Sequence, residues 1–108
     1  MSKSLDYIEH NKDRFLEELF ELLRIPSIST DSSKKDAIKK AAGFLLKQFE
    51  DFGFETAQLY ETPGNPIVFA EHSPHKDKPT VLIYGHYDVQ PSDPDHLWDS
   101  PPFEPVIK

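Results

Sequence analysis

The first half of the chain carries the hydrophobic pattern of two amphipathic helices. Apolar residues recur mostly at steps of three and four positions across residues 5–23, with charged residues between them, which places the apolar side chains on one face of a helix. Ser2 or Ser4 is suited to cap its start. Because proline disfavours helical geometry in the residue before it, Pro26 predicts that this helix ends near Arg24.

The second helix is predicted to begin at Ser33. Ser33 and Asp36 resemble a capping box, with Asp in the usual place of Glu. The apolar face of this helix consists of Ile38, Ala41, Ala42, Leu45, Phe49 and Phe52. Gly53 follows where a left-handed residue commonly ends a helix, so a helix of about five turns is expected.

Beyond Gly53 the apolar period shortens to that of β-strands. Three strands are predicted, at residues 55–60, 67–71 and 80–84. The short polar connectors between them suit antiparallel neighbours, whereas the continuous apolar run at residues 81–84 is typical of a central strand covered on both faces. Two helices followed by three strands of a mixed sheet predict the α/β class.

A proline-rich segment, residues 90–105, follows the last predicted strand. Its five prolines predict an extended or turning segment without regular structure, with Trp98 and Phe103 as its anchors. Residues 106–108 have the apolar start of a further strand. No repeat or interdomain linker interrupts the chain, and its 108 residues suit one domain with a modest core.

The composition is that of a folded globular protein, since 29% of the residues are charged and 37% are hydrophobic. A net charge of −7, with 12 basic residues scattered among acids, argues against binding to nucleic acid or to an anionic membrane. Residues 1–10 contain no apolar run that would serve as a signal peptide or membrane span, so a cytoplasmic location is expected. Without cysteine, any metal must be held by His, Asp or Glu.

His86 and Asp88 are the strongest candidates for chemistry, because they follow the predicted buried strand directly. Ligands of open α/β sheets bind in the crevice at this end of the strands, and an extended chain would point both side chains the same way. A neutral imidazole is a good metal ligand, and a carboxylate two residues along can accept its other N–H. A surface turn stays open as an alternative, because His-x-Asp is common and catalytic zinc needs three or more protein ligands.

The other polar clusters are interpreted as structural. The remaining histidines fall on a helix surface, in a turn or in the proline-rich segment, where solvated side chains are expected; they are His10, His72, His75 and His96. Paired acids on the polar helix faces need no catalytic explanation. The serines after the first helix have no general base at a sequence spacing that would indicate a nucleophilic serine, and they are predicted to be loop or cap residues. They are Ser27, Ser29 and Ser32.

Three stretches of sequence resemble a known enzyme family. Residues 81–91 read VLIYGHYDVQP, residues 98–105 read WDSPPFEP, and residues 23–29 read LRIPSIS. Together they make the chain similar, across nearly its whole length, to the zinc aminoacylase, carboxypeptidase and dipeptidase family, peptidase family M-twenty. The Gln-Pro continuation and the tryptophan-containing stretch are most like its branch of cytosolic nonspecific dipeptidases and carnosinase-like enzymes.

The resemblance implies that residues 1–108 are the N-terminal portion of a three-layer zinc-peptidase catalytic domain, with a dimerisation or lid domain inserted later. It assigns His86 as the first ligand of a site for two zinc ions and Asp88 as the active-site aspartate behind it. The other ligands and the general base would lie beyond Lys108, so these 108 residues alone are expected to bind zinc weakly and to be inactive. A full-length homodimer acting on dipeptides or other small amides is implied.

The sequence is compatible with two classes of function. The first is a zinc-dependent hydrolase of dipeptides or small amides, with a deacylase or desuccinylase of the same family as its nearest variant. The second is a non-catalytic interaction module that retains a peptidase-like N-terminal half, and the position of the natural stop codon distinguishes the two classes. If the chain is part of a longer hydrolase, truncation should leave a sheet edge near residues 81–84 uncovered, which predicts self-association of the isolated 108 residues through that edge or its apolar faces.

Overall fold

The computed structural model describes residues 2–108, which form two compact units. The central unit contains residues 26–91, and the terminal unit combines residues 2–25 with residues 92–108. Neither helix in the described residues has the length and apolar character that crossing a membrane requires. His86 and Asp88 both belong to the central unit.

Helix α1 of the terminal unit, Lys3–Leu23, confirms the first predicted helix. The Ser2 hydroxyl accepts a hydrogen bond from the backbone N–H of Leu5 at 3.3 Å and caps the first turn. Arg24 closes the last turn, two positions before Pro26. Within the described residues no side chain of α1 is buried, so the caps at its ends, rather than burial, account for where α1 begins and ends.

Residues 92–105, the part of the proline-rich segment that lies in the terminal unit, are irregular, as predicted, apart from a 3-10 turn at Asp95–Leu97. The indole Nε1 of Trp98 donates a hydrogen bond to the Ser92 carbonyl at 2.9 Å. This bond anchors Trp98 although the residue is 53% exposed. Residues 106–108, predicted to open a strand, form none, because no part of the described chain supplies the ladder of hydrogen bonds that defines a strand.

Helix α2 of the central unit, Lys35–Asp51, follows a 3-10 turn at Ser32–Lys34. The predicted capping box of Ser33 and Asp36 is wrong. Instead the Asp31 carboxylate accepts hydrogen bonds from the hydroxyl and the backbone N–H of Ser33, at 2.7 and 2.9 Å, and these bonds lower the pKa of Asp31. An acid two positions earlier occupies the donors of Ser33, so the turn begins at Asp31.

Gly53 ends α2 in the left-handed conformation, with a φ of 76°, as predicted. An added Cβ there would meet no atom within 4 Å, so the cost of Gly53→Ala is conformational, and we expect the free energy of unfolding to fall by about 1–2 kcal/mol. Gly43 is the matched control, because it lies inside α2 and its added Cβ also meets nothing.

Gly43→Ala is expected to raise the free energy of unfolding by about 0.5–1 kcal/mol, since alanine loses less backbone freedom on folding than glycine does. Urea denaturation of the two variants measures both changes. Changes of the same sign at the two positions would contradict the expectation, because only Gly53 has a positive φ.

Strands β1, Thr56–Tyr60, and β2, Ile67–Glu71, confirm two of the three predicted strands. They pair antiparallel, with Leu59 opposite Val68, and α2 packs against both of them. The buried side chains of α2 are Ile38, Ala41 and Ala42. The core of the central unit therefore lies between α2 and this two-stranded ribbon.

The third predicted strand, residues 80–84, is not formed. The segment pairs with no other part of residues 2–108, and residues 81–84 are 79–89% exposed instead of covered on both faces. A strand exists only where a neighbour shares its backbone hydrogen bonds, and a continuous apolar run does not identify that neighbour. The predicted α/β class is confirmed, as two helices with a two-stranded antiparallel ribbon.

Candidate metal site

Residues 27–29 and 87–89 of the central unit lie side by side and are joined by a parallel β-bridge. The backbone N–H of Val89 donates a hydrogen bond to the Ser27 carbonyl at 2.9 Å. Ser27, which is 2% exposed, donates from its hydroxyl to the Tyr87 carbonyl, also at 2.9 Å. The backbone of residues 87–89 is therefore fixed at both ends.

Tyr87 adds a third attachment through its side chain. Its hydroxyl donates to the carbonyl of Pro66 at 2.6 Å, immediately before β2. Burial, and after it the nearby charge of Asp88, raises the pKa of this phenol, so the hydroxyl stays protonated at neutral pH. Tyr87 is therefore held both by its carbonyl and by its hydroxyl, between His86 and Asp88 in the sequence.

The side chains of His86 and Asp88 contact each other. The imidazole Nδ1 lies 3.0 Å from Asp88 Oδ1 and 3.0 Å from the Asp88 carbonyl oxygen. An ionised carboxylate and a carbonyl only accept hydrogen bonds, so Nδ1 carries the proton of the neutral ring and Nε2 keeps its lone pair. The His86 side chain is 74% exposed, which leaves this nitrogen accessible. The metal and active-site roles assigned to the pair stay predictions.

The Asp88 carboxylate is also held from its other oxygen. The Ser29 hydroxyl donates a hydrogen bond to Asp88 Oδ2 at 2.6 Å, while Oδ1 contacts His86. The Ser29 bond, and after it the His86 contact, keep the pKa of the Asp88 carboxyl below its ordinary value. Asp88 is therefore ionised at neutral pH, the state in which both of its oxygens act as acceptors.

Ser27 and Ser29 lie outside the helices and strands, as predicted, but their side chains also make long-range contacts that the sequence did not predict. Ser29 and Asp88 are 59 positions apart in the sequence, so no local spacing connects the serine with the carboxylate. The one signal that pointed to this segment was the resemblance of residues 23–29 to a family signature. Their side chains place both serines among the groups that hold residues 87–89.

The other histidines take no part in this arrangement. His10 contacts a backbone carbonyl of its own helix at 2.7 Å, His72 lies 3.1 Å from a Glu55 oxygen, and His75 and His96 are exposed. In residues 2–108 no group of three or more His, Asp or Glu side chains is placed to hold a metal ion. The described chain thus supplies one imidazole with a carboxylate behind it, and not a complete metal site.

No protein-family model matches the chain, but individual proteins do. The chain is 36% identical over 110 residues to the Cys-Gly metallodipeptidase DUG1 of Candida albicans, in an alignment that covers 91% of this chain and 23% of the relative. It is 30% identical over 115 residues to the Beta-Ala-His dipeptidase of Mus musculus, covering 95% of this chain and 23% of the relative. The chain therefore spans about a quarter of the length of the relatives it matches.

The fold agrees with the sequence comparison. A solved structure of the di-peptidase Dug1p from Saccharomyces cerevisiae matches with a TM-score of 0.85 and 31% identity, covering 94% of this chain and 23% of that one. Sequence and fold agree over nearly all of this chain, which confirms the family predicted from its motifs. Over nearly its whole length the chain is thus similar to metallodipeptidases, as its resemblance to the dipeptidase branch of peptidase family M-twenty predicted.

Proposed function

We propose that residues 1–108 are the N-terminal portion of the catalytic domain of a metal-dependent dipeptidase, and that His86 is one of its metal ligands. One observation carries the proposal: the His86 ring is held at Nδ1 by Asp88 and leaves Nε2 accessible. Metal-binding histidines almost always donate their other ring N–H to such a partner. The reaction class is supported by the relatives, which are named as dipeptidases.

The residues fit a metal ion in part. The Nε2 of His86 is a neutral nitrogen ligand of the kind that zinc binds, but catalytic zinc takes about three protein ligands, and residues 2–108 bring no such group together. We therefore expect the isolated 108 residues to bind zinc weakly and to hydrolyse nothing. On this proposal the remaining ligands, and the base that takes a proton from water, belong to the rest of a longer protein.

The two site residues have distinct tasks in the proposed reaction. A pair of zinc ions, when bound, would polarise the scissile carbonyl and lower the pKa of a water toward neutrality. His86 supplies its Nε2 lone pair, and Asp88 keeps the ring proton on Nδ1 so that this lone pair stays available. Asp88 thus acts from behind the ligand. The count of two ions, a homodimeric full-length protein and a cytoplasmic location stay predictions.

Hydrolysis by the full-length protein tests the proposal. With zinc it should release free amino acids from Cys-Gly or β-Ala-His, the dipeptides in the relatives' names, and chelation of the metal should stop the release until zinc is restored. N-acetyl and N-succinyl amino acids, assayed in parallel, separate a dipeptidase from a deacylase or desuccinylase. If none of these compounds is hydrolysed in a zinc-dependent way, the proposal is contradicted and the non-catalytic interaction module is favoured.

The apolar segment at residues 81–84 predicts how the isolated 108 residues behave. These residues are 79–89% exposed and have no strand partner in the described chain, a combination that favours pairing between copies. We expect sedimentation velocity to show oligomers that increase with concentration, and Ile83→Lys to shift the distribution toward monomer. Leu97→Lys is the control, since Leu97 is 72% exposed but lies in a 3-10 turn. A monomer at every concentration would refute this expectation.

A further inference from the structure

Three side chains of the central unit form a continuous series of hydrogen bonds. The Ser29 hydroxyl lies 2.6 Å from Asp88 Oδ2, and Oδ1 of the same carboxylate lies 3.0 Å from His86 Nδ1. Ser29 is half-buried, whereas the His86 side chain is 74% exposed. The carboxylate is therefore held between a hydroxyl on the protein side and an imidazole that reaches into solvent.

The Asp88 carboxylate needs a contact of this kind to keep one orientation. The last torsion of an aspartate side chain has a broad, roughly two-fold energy profile, and 39% of this side chain is exposed, so packing alone does not fix it. A hydroxyl bonded to one carboxylate oxygen restrains the torsion, because charge-assisted hydrogen bonds are short and strong. While Ser29 holds Oδ2, Oδ1 stays directed at His86.

The backbone keeps Ser29 within reach of the carboxylate. Two hydrogen bonds of 2.9 Å join Ser27 to the residues on either side of Asp88, one to the Val89 N–H and one to the Tyr87 carbonyl. The serine hydroxyl thus comes from a segment that is already fixed to the segment carrying the carboxylate. Little conformational freedom is lost when the two groups bond, which favours a persistent contact.

We propose that Ser29 is a positioning residue, which acts through Asp88 to hold the His86 imidazole in the tautomer protonated on Nδ1 and so leaves Nε2 free to bind a metal ion. The tautomer part of this inference stands on the contacts alone, and the metal part rests on the function proposed above. In this role Ser29 touches neither metal nor substrate. Its effect passes through the orientation of one carboxylate.

The test compares full-length proteins that differ in one hydroxyl. Ser29→Ala removes the hydroxyl. Ser29→Thr keeps a hydroxyl, and Ser29→Val has nearly the same shape as threonine but carries a methyl group in its place. The first measurement is the His86 tautomer, from imidazole ¹⁵N chemical shifts of the metal-free protein at about pH 8, where an ordinary imidazole is neutral. The second is the zinc dissociation constant, from competition with a chromogenic chelator.

Ser29→Thr should keep the Nδ1-protonated tautomer of the wild type. Ser29→Ala and Ser29→Val should show a mixture of tautomers and bind zinc about 10-fold more weakly, the lower end of the effect usual for groups behind a metal ligand. Ser92→Ala is the matched control, because Ser92 also donates to an aspartate oxygen, that of Asp95, at 2.6 Å. It should change neither measurement.

The inference is overturned if both Ser29→Ala and Ser29→Val keep the tautomer populations and the zinc affinity of the wild type. Ser29 would then be a loop residue without a positioning role. If Ser29→Ala does not fold, the comparison of Ser29→Thr with Ser29→Val decides the question. The proposed function fails in a different way, namely if His86→Ala binds zinc as tightly as the wild type. The tautomer comparison still decides the positioning role in that case, because it uses metal-free protein.

Discussion

The His86→Ala variant of the full-length protein is expected to lose nearly all of its zinc-dependent dipeptide hydrolysis. Removing a group that sits behind a metal ligand typically lowers metal affinity or activity about 10–100-fold. Removing the ligand itself should lower kcat/KM further, because no group of three or more His, Asp or Glu side chains in residues 2–108 is placed to hold the metal without it. Steady-state hydrolysis of Cys-Gly and β-Ala-His at saturating zinc measures the loss.

The control for His86→Ala is His75→Ala. His75 is exposed and lies in the polar connector before residues 80–84, so its loss should leave kcat/KM unchanged. The zinc content of the purified variants gives an independent measurement, and it should fall for His86→Ala alone. Wild-type kcat/KM and wild-type zinc content in His86→Ala would rule out His86 as a ligand.

Asp88→Ala should lower zinc affinity and kcat/KM about 10–100-fold in the full-length protein. Without the carboxylate, Nδ1 of His86 keeps only the neutral Asp88 carbonyl as an acceptor, so the ring is held less firmly and carries its proton part of the time on Nε2, where a proton blocks metal binding. Asp88→Asn is expected to fall between alanine and the wild type. An amide oxygen still accepts a hydrogen bond from Nδ1, but the negative charge that strengthens this bond is gone.

The control for Asp88→Ala is Asp77→Ala. Asp77 is exposed and lies in a turn, so its loss should leave zinc affinity and kcat/KM at the wild-type level. Titration of zinc into the metal-free proteins, followed by activity at saturating zinc, separates a defect in binding from a defect in the chemical step. An Asp88→Ala protein with unchanged zinc affinity would show that the contact with His86 has no part in holding the metal.

Most of the secondary structure was predictable because its signals are local. The three- and four-residue steps of apolar positions define α1 and α2, and Gly53 has the positive φ that its place after a helix predicted. The capping box was wrong for an equally local reason. Asp31 offers a carboxylate two positions before Ser33, and this nearer acceptor takes both donors of the serine.

The remaining errors and omissions concern partners that are distant in sequence. Residues 80–84 have the apolar pattern of a central strand, but a pattern along one segment carries no information about which neighbour pairs with it. The same holds for Ser29, whose partner Asp88 lies 59 positions away. The contact between His86 and Asp88 spans only two positions, and for that reason this half of the site was predictable from spacing.

Anomalous X-ray scattering at the zinc edge, from crystals of the zinc-loaded full-length protein, tests the central claim most directly. That claim is that His86 is a metal ligand whose Nδ1 is held by Asp88. We predict an anomalous peak about 2.0–2.1 Å from His86 Nε2, with Nδ1 still in contact with the Asp88 carboxylate. Zinc bound through Nδ1, or zinc bound elsewhere while His86 contacts no metal, would contradict the claim.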